Sequence, residues 1–195
     1  CNTTGLSRLL ASVKKAGDIK KVRATMLRRV VDPKEDKKGL VNGIMPDPVR
    51  LPSHHGPDVQ TVMPDINIIT TAFKVPTTLM HVHAVSIEMP EVNAEDVLSV
   101  LENEPRLMLV SAEDGFTSTA RIVEYARELR MRYDLFENVI WRESVAYNDG
   151  ELFVTQAIHQ ESIVVPENVD AIRAMFELAD KEESIRKTNK SLRIA

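Results

Sequence analysis

Leu6, Leu9, Leu10 and Val13 recur at the spacing of one helix face, and Gly17 follows just past the last turn, so a helix is predicted from about Thr3 to Ala16. The stretch Asp18 to Val31 is richer in β-branched residues and partly alternates, which predicts a strand ending near the pair Arg28-Arg29. From Asp32 to Asp58 come Pro33, Pro46, Pro48, Pro52 and Pro57 with Gly39, Gly43 and Gly56, and an irregular loop is expected. A loop of that length inside a domain is usually functional or disordered. Two runs rich in Val, Ile and Thr follow, "VQTVMPDINIITTAFKVP" and "TTLMHVHAVSIEMP", both reading as strands.

Asn93 then caps a helix with Val97, Leu98 and Leu101 on one face, closed by Pro105, and "RLMLVS" reads as a short buried strand. Thr117 or Ser118 starts a helix whose face is Ile122, Ala126, Leu129 and Tyr133. "NVIWRESVAY" and "LFVTQAIHQESIVV" flank Asn148-Asp149-Gly150-Glu151, a hairpin signal. Pro166 and Asn168 begin a last helix, with Val169, Ile172, Met175, Phe176 and Ala179 expected inward. The pattern predicts an α+β domain, a largely antiparallel or mixed sheet with helices packed on one face. Strict βαβ alternation is absent from the pattern, and so is a glycine-rich phosphate turn between strand and helix.

Charge changes this picture. The net charge is -4, yet residues 1 to 50 hold 12 Lys and Arg against 5 Asp and Glu, whereas the remainder is acidic. The basic quarter contains no Phe, Trp or Tyr, which favours a small phosphorylated ligand over a stacked nucleic acid strand; a solvated basic face is the plainer reading. No run approaches 18 apolar residues, so no membrane partner is expected and a soluble, cytoplasmic protein is. The single cysteine excludes an internal disulfide and a thiolate-rich metal site.

That cysteine, Cys1, stands where a helix begins. Unpaired N–H groups and the positive end of the helix dipole there favour a thiolate and an oxyanion next to it. A small buried hydrophobe is the alternative for a lone cysteine, and position alone leaves both open. Four of the five histidines fall in two clusters. His81 and His83 in "HVH" share one strand face and could serve proton transfer, with a metal ranked lower, while one of the two is expected to be structural. His54 and His55 lie in the irregular loop, where with a nearby arginine they suit phosphate oxygens. Only one of Arg28 and Arg29 need enter a site, since neighbours on a strand face opposite ways.

"CNTTGLSRLL", "MLRRVVDPKEDKKG", "PDPVRLPSHHGPDVQTV", "FKVPTTLMHVHAVSIE" and "ELFVTQAIHQESIVVPENVDAIRA" resemble, in order, the catalytic half of the archaeal type of phosphorylating glyceraldehyde-3-phosphate dehydrogenase. The resemblance implies that Cys1 attacks the aldehyde of glyceraldehyde 3-phosphate to give a thiohemiacetal. A histidine, His81 in preference to His83, would take the hydroxyl proton as hydride leaves for NAD or NADP. Inorganic phosphate would then release the acyl group as 1,3-bisphosphoglycerate, a step of glycolysis or, reversed, of gluconeogenesis. It further implies that Arg29, His54 and His55 hold substrate or inorganic phosphate, that Asn2 and Thr3 lie near the reacting carbonyl, that Gln160 contacts the nicotinamide, and that the enzyme is a homotetramer without a catalytic metal. Residues 1–165 would be the catalytic domain, and the helix within 166–195 would pack on a Rossmann-type domain that this sequence lacks. The chain is therefore expected to be a catalytic-domain fragment, inactive by itself.

Two rivals stand beside this reading. An N-terminal-nucleophile hydrolase would use the Cys1 amine as base, but would carry its cysteine at the start of a strand. An oligomerisation module would use the Pro-rich loop against partner subunits.

Overall fold

The computed structural model describes residues 1–30, 42–129 and 136–194. Val31 to Val41 of the predicted strand and loop, and Tyr133 of the predicted helix face, lie outside the described residues.

Helix α1 (Asn2–Val13) buries Leu6, Leu9, Leu10 and Val13 completely, as the spacing predicts. Strand β1 (Lys21–Arg29) buries alternate residues Val22, Ala24 and Met26 against it. Part of the segment read as irregular is ordered. It holds a two-residue strand, β2 (Met45–Pro46), and a short helix, α2 (His55–Gln60). Pro57 is tolerated in α2 because it lies in the first turn, where its missing N–H has no helical acceptor to lose. The following β-rich run consequently becomes a strand only at β3 (Ile68–Val75).

Strand β4 (His81–Glu88) and helix α3 (Ala94–Glu102) follow, the latter capped by the Asn93 side chain, which accepts from Glu95 N–H at 3.0 Å. Next come β5 (Met108–Val110) and α4 (Thr119–Glu128), whose cap is Ser118. The run "NVIWRESVAY" is not one strand. It divides into β6 (Asn138–Trp141), a 3-10 turn (Arg142–Ser144) and β7 (Ala146–Asn148). The predicted hairpin joins β7 to β8 (Glu151–Ile158), and Asp149 and Gly150, at φ 46° and 85°, supply the two left-handed positions that such a turn demands. The single closing helix is two, α5 (Val165–Met175) and α6 (Lys181–Leu192), because Asp180 caps a new helix through Glu183 N–H.

The sheet order is β2-β3-β1-β4-β8-β6-β5, with β7 also on β8. Pairs β1–β3 and β5–β6 are parallel and the other pairs antiparallel, a mixed sheet and an α+β fold. The main core lies between one sheet face and α1, α2 and α3, through Leu9, Val59, Leu98, Met26 and Val154. Helix α4 covers the opposite face near the β5 edge, where Ile122, Val123 and Ala126 meet Val139 and Ala157. Of the α5 face read as inward, Ile172, Met175 and Phe176 are uncovered in this chain, the exposure expected of a face that would pack on a further domain.

Candidate active site

The cysteine, the basic pair and the histidines gather at one end of the sheet, where β1 finishes, β4 starts and β8 finishes. Cys1 is the N-cap of α1 and half-buried, and its carbonyl accepts the Gly5 N–H at 2.9 Å. Its side chain makes no capping hydrogen bond, so the first-turn N–H groups are left to face whatever binds at the sulfur. Cys1 thus opens a helix rather than a strand, against the placement that the hydrolase reading requires.

His81 and His83 face the same side of β4, as their spacing predicts, but meet different partners. The backbone N–H of Arg29 donates to Nδ1 of His81 at 3.0 Å, and Nε2 of His81 lies 3.0 Å from Oε1 of Gln160. A backbone amide can only donate to Nδ1, so neutral His81 carries its proton on Nε2, directed at the amide oxygen of exposed Gln160. His83 is fully buried, with Nε2 2.9 Å from Oδ1 of Asn2 and Nδ1 3.0 Å from Nε2 of Gln156. Burial pushes the pKa of both rings down to about 3.

Asn2 is itself buried and reaches His55 on the other side, Nδ2 to Nε2 at 3.0 Å. Burial, helped by the charges of His54 and Arg28, lowers His55 to about 4. His54 is exposed, stacked on His55 with ring centroids 3.9 Å apart and 3.9 Å from the Asp58 carboxylate. Thr3 is half-buried in the first turn of α1.

The arginines diverge. Arg29 is buried and forms an ion pair with Glu161, which also meets Nε2 of His159 at 3.1 Å. Arg28 continues the Val22, Ala24, Met26 parity, holds Asp47 at 2.6 Å, and its charge reaches His55 and His81. Its Nε has no partner among the described residues. Period-two alternation along β1 is the sequence signal that puts Arg28 on the face of Val22, Ala24 and Met26. Ser53, Thr70 and Gln156, which carry the hydrogen bonds behind the site, have no signal in the sequence beyond polarity. Among the described residues no group of three or more His, Cys, Asp or Glu is placed to hold a metal ion.

A half-buried cysteine on a helix start, at the end of the sheet that also holds neutral histidines and an arginine, is an arrangement that can support nucleophilic chemistry. The family model described as "glyceraldehyde 3-phosphate dehydrogenase, C-terminal domain" matches residues 1–174, and the chain belongs to that family. Proteins named glyceraldehyde-3-phosphate dehydrogenase align with it throughout. That of Archaeoglobus fulgidus is 72% identical over 195 residues, 100% of this chain and 57% of the relative. Those of Thermococcus kodakarensis and Methanothermus fervidus are 57% and 56% identical, each over 100% of this chain and 58% of their own length. The chain therefore spans less than two thirds of these archaeal relatives.

Proposed function

We propose that this chain is the catalytic part of a phosphorylating glyceraldehyde-3-phosphate dehydrogenase, acting on glyceraldehyde 3-phosphate and inorganic phosphate in the cytoplasm, in glycolysis or gluconeogenesis. The observation that carries it is the family match over residues 1–174, which begins on the cysteine that opens α1. Cys1 attacks the aldehyde carbon, the carbon–sulfur bond forms, and the carbonyl electron pair moves onto oxygen. The first-turn N–H groups of α1, at Asn2 and Thr3, and the Nε2–H of His81 donate to that oxygen. Held as an oxyanion, the adduct re-forms its carbonyl as the C–H pair leaves as hydride, giving a thioester on Cys1. His81 can take a hydroxyl proton, the role the family resemblance assigns to it, only after giving up the Arg29 contact at Nδ1.

NAD or NADP supplies the hydride acceptor. Exposed Gln160, beside His81, fits the edge of a nicotinamide amide, and the rest of that binding surface is assigned to the longer polypeptide. Arg28 and Arg29 provide the positive edge for phosphate oxygens and the exposed ring of His54 a further hydrogen-bonding group, while Asn2 and His55 support it from beneath. Assembly as a homotetramer belongs to the same proposal. It is supported by the outer sheet face, which leaves Leu27, Ile69 and Phe153 exposed.

The test joins this chain to the N-terminal remainder of the Archaeoglobus relative and follows reduction of NAD or NADP with glyceraldehyde 3-phosphate and phosphate. Activity that is lost by at least about 1,000-fold in Cys1→Ala is expected. Activity that survives this substitution contradicts the proposal. A chain that assembles but never turns over supports the oligomerisation reading instead.

A further inference from the structure

Behind Cys1 runs a chain of side-chain hydrogen bonds that the reaction itself does not use. Gln156 on β8 donates from Nε2 to Nδ1 of His83, and Nε2–H of His83 donates to Oδ1 of Asn2 at 2.9 Å. Asn2 donates from Nδ2 to Nε2 of His55 at 3.0 Å, and His55 donates from Nδ1 to the Ser53 hydroxyl at 3.2 Å. Ser53 donates to Thr70 at 2.7 Å, and the Thr70 hydroxyl closes on the Ser53 carbonyl at 3.1 Å. The amide oxygen of Asn2 can only accept, and that single fact sets the direction of every other donor along the row. All six residues are at most 3% exposed, so no water competes for these contacts.

The row crosses from the middle of the sheet to α2 and meets α1 at one residue, the one after the cysteine. The remainder of α1 is held by apolar packing of Leu6, Leu9, Leu10 and Val13 and by the ion pairs of Arg8 with Glu137 and Glu167. Its first turn is held differently, from the sheet, through Asn2. An N-cap side chain would fix that turn by occupying its free N–H groups, whereas an anchor on Asn2 fixes it and leaves those groups available.

We infer that His83 is a positioning residue for the nucleophile: through Asn2 it sets the orientation of the first turn of α1, and with it the N–H groups aimed at the Cys1 sulfur and at the oxygen of a bound carbonyl. The inference rests on the proposed role of Cys1 and adds a residue that touches neither substrate nor cofactor. Either neighbour of His83 in the row, removed, loosens the same turn. A glutamine at position 83 can place its amide nitrogen near Nε2 of the lost ring and keep the bond to Asn2.

The experiment measures alkylation of the only cysteine by iodoacetamide in the 195-residue chain, as the rate at pH 7 relative to the same chain in urea and as a pH profile, alongside thermal melting. The native chain is expected to react faster than the urea-unfolded one. His83→Leu is expected to cut the native rate about fivefold, the size of a helix-terminus effect on a thiolate, and to move the profile to higher pH. His83→Gln is expected to stay within about twofold of the native rate. Gln156→Leu, which keeps His83, is expected to shift the rate and profile in the same direction by less, and decides the matter if His83→Leu does not fold. A folded His83→Leu, or failing that a folded Gln156→Leu, with unchanged rate and profile overturns the inference and leaves Cys1 as nucleophile. A native chain no faster than its unfolded form removes both.

Discussion

Two histidines on one strand face have been given different work by what each nitrogen meets. His81 faces the rim through Nε2, whereas both nitrogens of His83 are spent inside the protein. Their shared face is legible in the sequence, as "HVH" on a strand allows nothing else. The division between them is not, because their partners come from positions 2, 29, 156 and 160, which only the fold brings together. Three buried rings, His55, His81 and His83, have folded pKa values of about 4, 3 and 3, below the ordinary 6.5. The folded chain thus binds fewer protons than the unfolded one between these values. Their contribution to stability is full above about pH 6.5 and lost as pH falls through that window. The melting temperature is expected to fall steadily from pH 6.5 to 4, and a flat profile over that range would contradict the neutral-ring assignment. At the same scale, Arg28→Ala in the joined enzyme is expected to raise KM for glyceraldehyde 3-phosphate about tenfold or more, the worth of one charge-assisted contact. An unchanged KM would leave Arg28 as a partner of Asp47 alone.

Helix α1 is the element on which the site depends, and Gly5 shows how tightly it is seated. A Cβ at that position would stand 2.8 Å from Cγ2 of Ile158 on β8, closer than side chains tolerate. Gly5→Ala is expected to cost about 1–3 kcal/mol by denaturant unfolding. The cost should shrink in an Ile158→Ala background, where the space exists, and strict additivity of the two changes would refute the close-contact explanation. Leu9→Ala, one turn further along and fully buried, is expected to cost about 2–5 kcal/mol. This helix was readable from its apolar stripe, and α3 and α4 from their Asn93 and Ser118 caps. The end of the chain was misread because an apolar stripe over Ile172, Met175 and Phe176 outweighed a local signal. Asp180 followed by Glu183 marks a fresh helix start. Helix α2 escaped for the opposite reason, since Gly56 and Pro57 read as breakers although the first turn of a helix accepts both.

Over the whole molecule, the mixed sheet was predictable from its strands and hairpin, but the parallel pairings β1–β3 and β5–β6 were not, for no local pattern distinguishes them. One polar hub joins the site helix to the far end of the chain. Arg8 on α1 holds Glu137 at 3.2 Å, Glu167 at 2.8 Å and the Ile163 carbonyl at 2.7 Å, and Arg106 carries the network on to Asp170. The hub thus ties α1 to α5, whose Ile172, Met175 and Phe176 face solvent in this chain. In the proposed reaction Cys1 carries the acyl group between hydride loss and phosphate attack. This role is tested most directly by mixing the joined enzyme with glyceraldehyde 3-phosphate and NAD or NADP in the absence of phosphate, and following reduced nicotinamide together with intact mass. A burst of about one equivalent per chain with a matching acyl adduct on Cys1 is expected, followed by renewed turnover when phosphate is added. Steady turnover without phosphate, or an adduct on any residue other than Cys1, would contradict this role.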